Sequence, residues 1–162
     1  MRLQPFRGSH LPVLMKIVQN TDGPILELGC GTYSTQYLHW ICFAAKRRLV
    51  TYENNPQYYE YLRQFATDYH EIRCVPDWPS IDVSEPWTVA LVDGDPGPRR
   101  ILVEKLFHAE YVVCHDTEGR ASRKHEYAQV FPRFKYQFEY KVTNPHTTLL
   151  SNVHDIRKFR LP

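Results

Sequence analysis

The chain has 162 residues, 43% of them hydrophobic and 23% charged, and a formal net charge of +2. That length holds one domain with a real core, taken as residues 1–162, and the composition excludes a disordered chain. No apolar run can span a bilayer, the start Met1-Arg2-Leu3-Gln4-Pro5-Phe6 lacks the apolar segment of a secretory leader, and the charge is too small to mark a nucleic-acid binder by itself. Cys30, Cys42, Cys74 and Cys114 show no metal-ligand spacing; they read as reduced, mostly buried thiols, which places the protein in the cytoplasm as an expectation.

In chain order, residues 9 to 20 carry Leu11, Leu14, Met15 and Val18 at helical spacing, with Ser9 as the cap of a helix covering the sheet edge. A turn, Asn20 to Pro24, leads into an apolar strand, Ile25-Leu26-Glu27-Leu28. Gly29-Cys30-Gly31 then turns the backbone tightly, and Ser34 or Thr35 caps a helix running to about Ala45. Lys46-Arg47-Arg48 reads as a solvated turn, with a phosphate patch as the alternative. The second strand is Leu49 to Glu53. A helix from Pro56 to about Tyr69 follows, with Tyr58, Tyr59, Leu62, Phe65 and Ala66 on its inner side. Ile72 to Val75 is a third strand and Trp87 to Asp93 a fourth, apolar enough to be covered on both faces. A helix from Arg99 to His108 precedes the fifth strand, Tyr111 to Cys114, and another covers Ser122 to Phe131. The final runs, Phe134 to Val142 and Thr147 to Val153, are joined by a short turn and must pair antiparallel. The prediction is an α/β fold: a doubly wound, mostly parallel seven-stranded sheet with a C-terminal antiparallel hairpin.

The glycine turn at the end of the first strand, with exposed N–H groups and a helix N-terminus behind it, suits a ligand carrying anionic or carboxylate groups. Glu53 closes the next strand about 20 residues on, where a ribose-binding carboxylate belongs. A nicotinamide site would want a third glycine where Tyr33 or Ser34 stands. The pattern Glu27-Leu28-Gly29-Cys30-Gly31, followed by Glu53, instead resembles motifs I and II of the class I S-adenosylmethionine-dependent methyltransferases, and the closing hairpin is how that family ends. The resemblance implies that S-adenosyl-L-methionine is held by Glu27, Gly29, Cys30, Gly31, Tyr33, Ser34, Glu53 and Asn54. It also implies that Asp77 and Trp78 meet the adenine and that Asp93 borders the cofactor.

Asp93 and the pair His115-Asp116 end the fourth and fifth strands on the same rim. Two roles fit them. In one, Asp93, His115 and Asp116 hold a divalent cation, as in cation-dependent O-methyltransferases, although an imidazole among the ligands suits a transition metal better than Mg²⁺. In the other, His115 is a general base whose tautomer Asp116 or Asp93 fixes. Glu118, Arg120, Asn144 and His146, on loops over the rim, are the substrate-facing candidates.

The expected activity is methyl transfer to oxygen of a small molecule or sugar, by a chain acting alone or as a homo-oligomer. A nucleic-acid methyltransferase is the nearest rival within the enzymes. The run Asp93-Gly94-Asp95-Pro96, with no aromatic after it, argues against amino methylation of bases. A cofactor-binding subunit without catalysis and a dehydrogenase are the readings from other classes.

Overall fold

The computed structural model describes residues 5–161, so part of the segment read for a leader, Met1 to Gln4, lies outside the described residues. A seven-stranded sheet forms its centre, built from β1 (Ile25–Leu28), β2 (Leu49–Glu53), β3 (His70–Cys74), β4 (Val89–Val92), β5 (Tyr111–His115), β6 (Tyr136–Tyr140) and β7 (Thr147–Ser151). The strand order is β3-β2-β1-β4-β5-β7-β6, with the first five parallel and β7 antiparallel to both β5 and β6. The order reverses between β1 and β4, which is where open α/β sheets bind ligands beyond their strand ends. The fold class expected from the sequence is the one observed.

Strand β1 shows why both faces are covered. Leu26 and Leu28 join Trp87, Val92, Leu102 and Tyr127 in one apolar layer, while Ile25 joins Val13, Leu14, Ile17, Leu38 and Cys42 in the other. The second layer is supplied by α1 (Leu11–Val18) and α2 (Ser34–Ala45), the first largely by α4 (Arg100–Glu104) and α6 (Tyr127–Val130). Each fully buried Leu or Val contributes about 1.5–3 kcal/mol. These layers therefore fix the sheet, and the sheet fixes the loops at its carboxyl edge.

Several local expectations are corrected. Ser9 does not cap α1; His10 occupies the cap position, with Pro12 in the first turn, and its side chain caps nothing. Neither Ser34 nor Thr35 caps α2, whose cap position is Tyr33. The helix α3 (Pro56–Leu62) stops early and passes through a 3₁₀ turn, Arg63–Phe65; of its tyrosine-rich face only Leu62 is buried. The expected helix over Ser122 to Phe131 is broken by Glu126, at φ +57°, into α5 (Gly119–Lys124) and α6. Arg47 is neither solvated nor a phosphate ligand. It is 6% exposed, and its guanidinium satisfies the carbonyls of Val18, Thr21 and Gly23 beneath the turn before β1. Cys42 and Cys114 are buried as expected, but Cys74 is exposed and Cys30 half-buried.

Candidate functional site

A cavity of about 470 Å³ opens at the switch point, between the β1–α2 turn, the end of β2, and the ends of β4 and β5. Gly29, Cys30, Gly31, Tyr33, Ser34 and Glu53 line one side; Asp93, Asp95, Arg99, His115, Asp116 and His10 line the other.

The glycine turn has a steric reason at its first position. Gly29 has φ +91°, and a Cβ there would meet the backbone nitrogen of Gly94 at 2.4 Å, so β1 and β4 can close together only without a side chain. Gly94 in turn rests on Trp78, whose ring a Cβ would strike at 2.5 Å. Gly31 is different: an added Cβ would meet nothing closer than Ser34 Oγ at 3.7 Å, so the bare backbone there serves the cavity rather than the protein's own packing.

Glu53 collects donors from two loops. Its Oε2 accepts the Cys30 N–H (2.9 Å) and the Cys30 thiol (3.0 Å), and its Oε1 accepts the N–H groups of Asn54 (2.9 Å) and Asn55 (2.7 Å). A carboxylate offers about four lone-pair sites, and the thiol is the weakest of these four donors. A sugar hydroxyl displacing the Cys30 thiol would meet a carboxylate already aimed into the cavity. Asn54 contributes its backbone rather than a cavity-lining side chain; its Oδ1 is buried without a partner among the described residues, and Asn55 lines the cavity instead.

Glu27 lies beneath the turn, fully buried. Its Oε2 accepts hydrogen bonds from Thr35 Oγ1 (2.9 Å) and Thr51 Oγ1 (2.8 Å), and Thr35 Oγ1 accepts the Gly31 N–H (2.9 Å). Burial pushes its carboxyl up to about 7, and the hydroxyls of Ser34, Thr51 and Thr35 pull back only part of that rise. The expected direct contact with the cofactor is therefore corrected to support of the loop through Thr35. Trp78 is corrected too: it is 6% exposed within the core under Gly94, not a platform in the cavity. Asp77 is exposed outside the cavity and accepts the Ser80 N–H at 2.9 Å.

The opposite wall is a charge cluster around Arg99, which is 2% exposed. Its guanidinium lies 2.9 Å from Asp93 Oδ1, 3.1 Å from Asp116 Oδ2 and 3.8 Å from Asp95 Oδ2. It also donates to the carbonyls of Asp93, Gly94 and His115, tying the ends of β4 and β5 together. Burial would raise the Asp93 pKa, but Arg99 and His115 outweigh it and hold the carboxyl at about 2. His115 Nδ1 is 3.0 Å from Asp93 Oδ1 and Nε2 is 2.8 Å from Ser9 Oγ. Burial disfavours its imidazolium, yet the hydrogen bond and charge of Asp93, with the charge of Asp116, raise its pKa above the ordinary value.

Two residues of this wall escaped the sequence reading. Arg99 reads only as the start of a helix, and its position after Pro98 beside three rim acids is the one signal of another role. His10 is 1% exposed, sits edge-on to His115 with ring centroids 4.7 Å apart, and has no hydrogen-bond partner for either nitrogen among the described residues. An unsatisfied buried polar group costs about 1–3 kcal/mol. Burial also takes His10 down to about 4, so it is neutral. Of the expected metal set, Asp93 and His115 come together, and the third residue whose ligand atom converges with theirs within 4.8 Å is His10 rather than Asp116. The substrate-facing candidates do not line the cavity. Glu118 accepts the His146 N–H, His146 Nδ1 pairs with Glu139, and Arg120 and Asn144 are exposed. Pro145 is the member of that loop that reaches the cavity.

No protein-family model matches the chain, and no curated protein matches it in sequence. Solved structures do match in fold. The chain is similar to the Podospora anserina methyltransferase PaMTH1, solved with S-adenosyl-L-homocysteine, at 13% identity and a TM-score of 0.64, covering 93% of this chain and 79% of that one. The N-methyltransferase NodS from Bradyrhizobium japonicum, in complex with the same compound, aligns at 13% identity and TM-score 0.61 over 91% and 86% of the two chains. Human methyltransferase-like protein 13, also in complex with it, aligns at 13% identity and TM-score 0.60 over 99% and 86%. The chain has the class I, Rossmann-like methyltransferase fold. At these identities the likeness is one of architecture, and the chemistry rests on the residues described above.

Proposed function

We propose that the protein is an S-adenosylmethionine-dependent methyltransferase acting on a hydroxyl of a small molecule or sugar. The observation that carries this reading is Glu53, whose carboxylate shares a cavity with the bare backbone of Gly31 and faces the Asp93–His115 pair across it. The residues fit the cofactor. Glu53 accepts a ribose hydroxyl once the Cys30 thiol turns away, and Gly31 leaves room for close backbone approach. S-adenosylmethionine supplies a methyl already activated on sulfonium sulfur, so the protein's work is alignment and removal of the acceptor's proton. A cavity of about 470 Å³ is within the size range of small-molecule sites and favours a small acceptor.

Proton removal is assigned to the Asp93–His115 pair, with Arg99 fixing Asp93 and Asp116 alike. Both nitrogens of His115 are engaged, so the Ser9 hydroxyl must give way before Nε2 can accept a proton. Isothermal titration with S-adenosylhomocysteine and with NAD tests the cofactor. Saturation by the first alone is expected, and saturation by NAD alone overturns the reading. Methyl transfer in metabolite extracts, followed by mass spectrometry, tests the reaction. His115→Ala should keep S-adenosylhomocysteine binding and lose turnover; unchanged turnover would remove His115 from the chemistry.

A further inference from the structure

The methyl-transfer reading leaves one member of the cavity wall unused. His10 is buried, its two nitrogens have no partner among the described residues, and it lines the cavity beside His115. One ligand atom from each of His10, Asp93 and His115 lies within 4.8 Å of the other two. We infer that these three side chains form a site for a divalent transition cation of the zinc class, with its remaining coordination positions open to the cavity.

The donor set decides the type of ion. Two imidazoles and one carboxylate with open positions suit zinc and its first-row neighbours, whereas Mg²⁺ prefers oxygen ligands in an octahedron. Ligand atoms around a tetrahedral zinc stand about 3.3 Å apart, given bonds of about 2.0–2.1 Å. Asp93 and His115 already meet that spacing at 3.0 Å, and side-chain rotations on the order of 1 Å bring His10 in. The supporting contacts are also present. With a metal on Nδ1, His115 keeps its proton on Nε2, where Ser9 Oγ at 2.8 Å accepts it. Arg99 bridges Asp93 and Asp116 and orients both carboxylates, while the cluster within 4.8 Å comprises His10, Asp93 and His115. Formally, the three carboxylates of Asp93, Asp95 and Asp116 against the Arg99 guanidinium and the Lys124 ammonium leave one negative charge beside the cluster.

The site also gives the acceptor a route that leaves the Ser9 contact in place. In the methyl-transfer reading, on which this role rests, a hydroxyl bound at the open position has its pKa lowered and releases its proton to water. The O–CH₃ bond then forms as the S–CH₃ bond breaks, and the electron pair stays on sulfur. Metal binding itself does not depend on that role.

The test is titration of the metal-stripped full chain with ZnCl₂, CoCl₂ and MgCl₂ by calorimetry, with the visible absorption of Co²⁺ as a spectroscopic readout. One equivalent of zinc should bind, Co²⁺ should give a tetrahedral or five-coordinate spectrum, and Mg²⁺ should give no heat at millimolar concentration. His10→Gln and Asp93→Asn should each weaken zinc binding at least tenfold, and Ser9→Ala should weaken it less. Thermal melts and S-adenosylhomocysteine binding establish that each variant is folded. No zinc binding by the folded wild type overturns the inference. So does binding that survives His10→Gln but is lost in Cys74→Ser, which would place the ion on an exposed thiol. Zinc bound without S-adenosylhomocysteine affinity would sink the methyltransferase reading and leave the metal site standing. The opposite result would do the reverse.

Discussion

The two walls of the cavity are built on different principles. On the β1–β2 wall the acid is Glu53, whose two oxygens are satisfied by backbone N–H groups and a thiol. The β4–β5 wall packs Asp93, Asp95, Asp116 and His115 around one buried arginine, with a second imidazole left unpartnered among the described residues. A wall whose carboxylate is fixed by three backbone N–H groups can grip a ligand with no more movement than the turning away of one thiol. A wall with coupled charges and an open imidazole responds to protons and cations, which is what chemistry on a hydroxyl requires. The fold therefore separates holding from reacting across the switch point.

The largest expected effect comes from breaking the charged wall. Arg99→Met leaves Asp93 and Asp116 facing each other without their cation, and breaking a buried pair costs about 3–5 kcal/mol. Denaturant unfolding should show that loss, and adding Asp93→Asn should recover part of it. A loss below about 1 kcal/mol would mean that water already screens the cluster.

The next effect concerns the layer beneath the holding wall, and its sign can be worked out. Glu27 is raised from 4.5 to about 7, so its contribution is complete below pH 4.5 and is lost as pH rises through 7, by about 3 kcal/mol at most. His10 and His70 act oppositely. Both are lowered from 6.5 to about 4, so their contribution is present above pH 6.5 and is lost as pH falls through 4. Stability should peak near neutrality or slightly below it. Glu27→Gln can still accept from Thr35 and Thr51, so it should remove the loss between pH 4.5 and 7 and steepen the rise that the histidines give over that range. Melting temperatures from pH 4 to 9 check this, and a profile unchanged between pH 4.5 and 7 in Glu27→Gln would assign the loss to another group.

Smaller effects separate binding from stability. Glu53→Gln replaces charge-assisted hydrogen bonds to the ribose, and S-adenosylhomocysteine affinity should fall about 10–100-fold. Gly31→Ala should leave the melting temperature unchanged, because its Cβ meets nothing inside 3.7 Å, while affinity falls up to about tenfold. A Gly31→Ala variant that binds as tightly as wild type would show that the cofactor does not approach that backbone.

The legible part of the molecule was the part written in neighbouring residues. The alternation of Leu26, Leu28, Val50, Val89 and Val92 with turn residues determined the strands and hence the wound sheet. The Gly29–Gly31 turn and Glu53 could be paired because 23 residues separate Cys30 from Glu53 and one crossover joins their strands. Local chemistry was also where the sequence misled. Arg47 reads as a solvated turn residue and Trp78 as an adenine contact, yet tertiary packing gives one the carbonyls beneath β1 and the other the underside of Gly94.

The reacting wall was decided by contacts that no local pattern encodes. Ser9 meets His115 across 106 residues, Thr143 Oγ1 donates to the Ser9 carbonyl across 134, and Arg99 reaches Asp116 from a separate loop. Periodicity and spacing report which face of an element is apolar and where a chain must turn. They do not say which side chains on the rim touch one another, because that follows from the layers packing against one another. So the sequence named Asp93, His115 and Asp116 as rim residues, and only the folded chain could set Arg99 among them and bring His10 over the top.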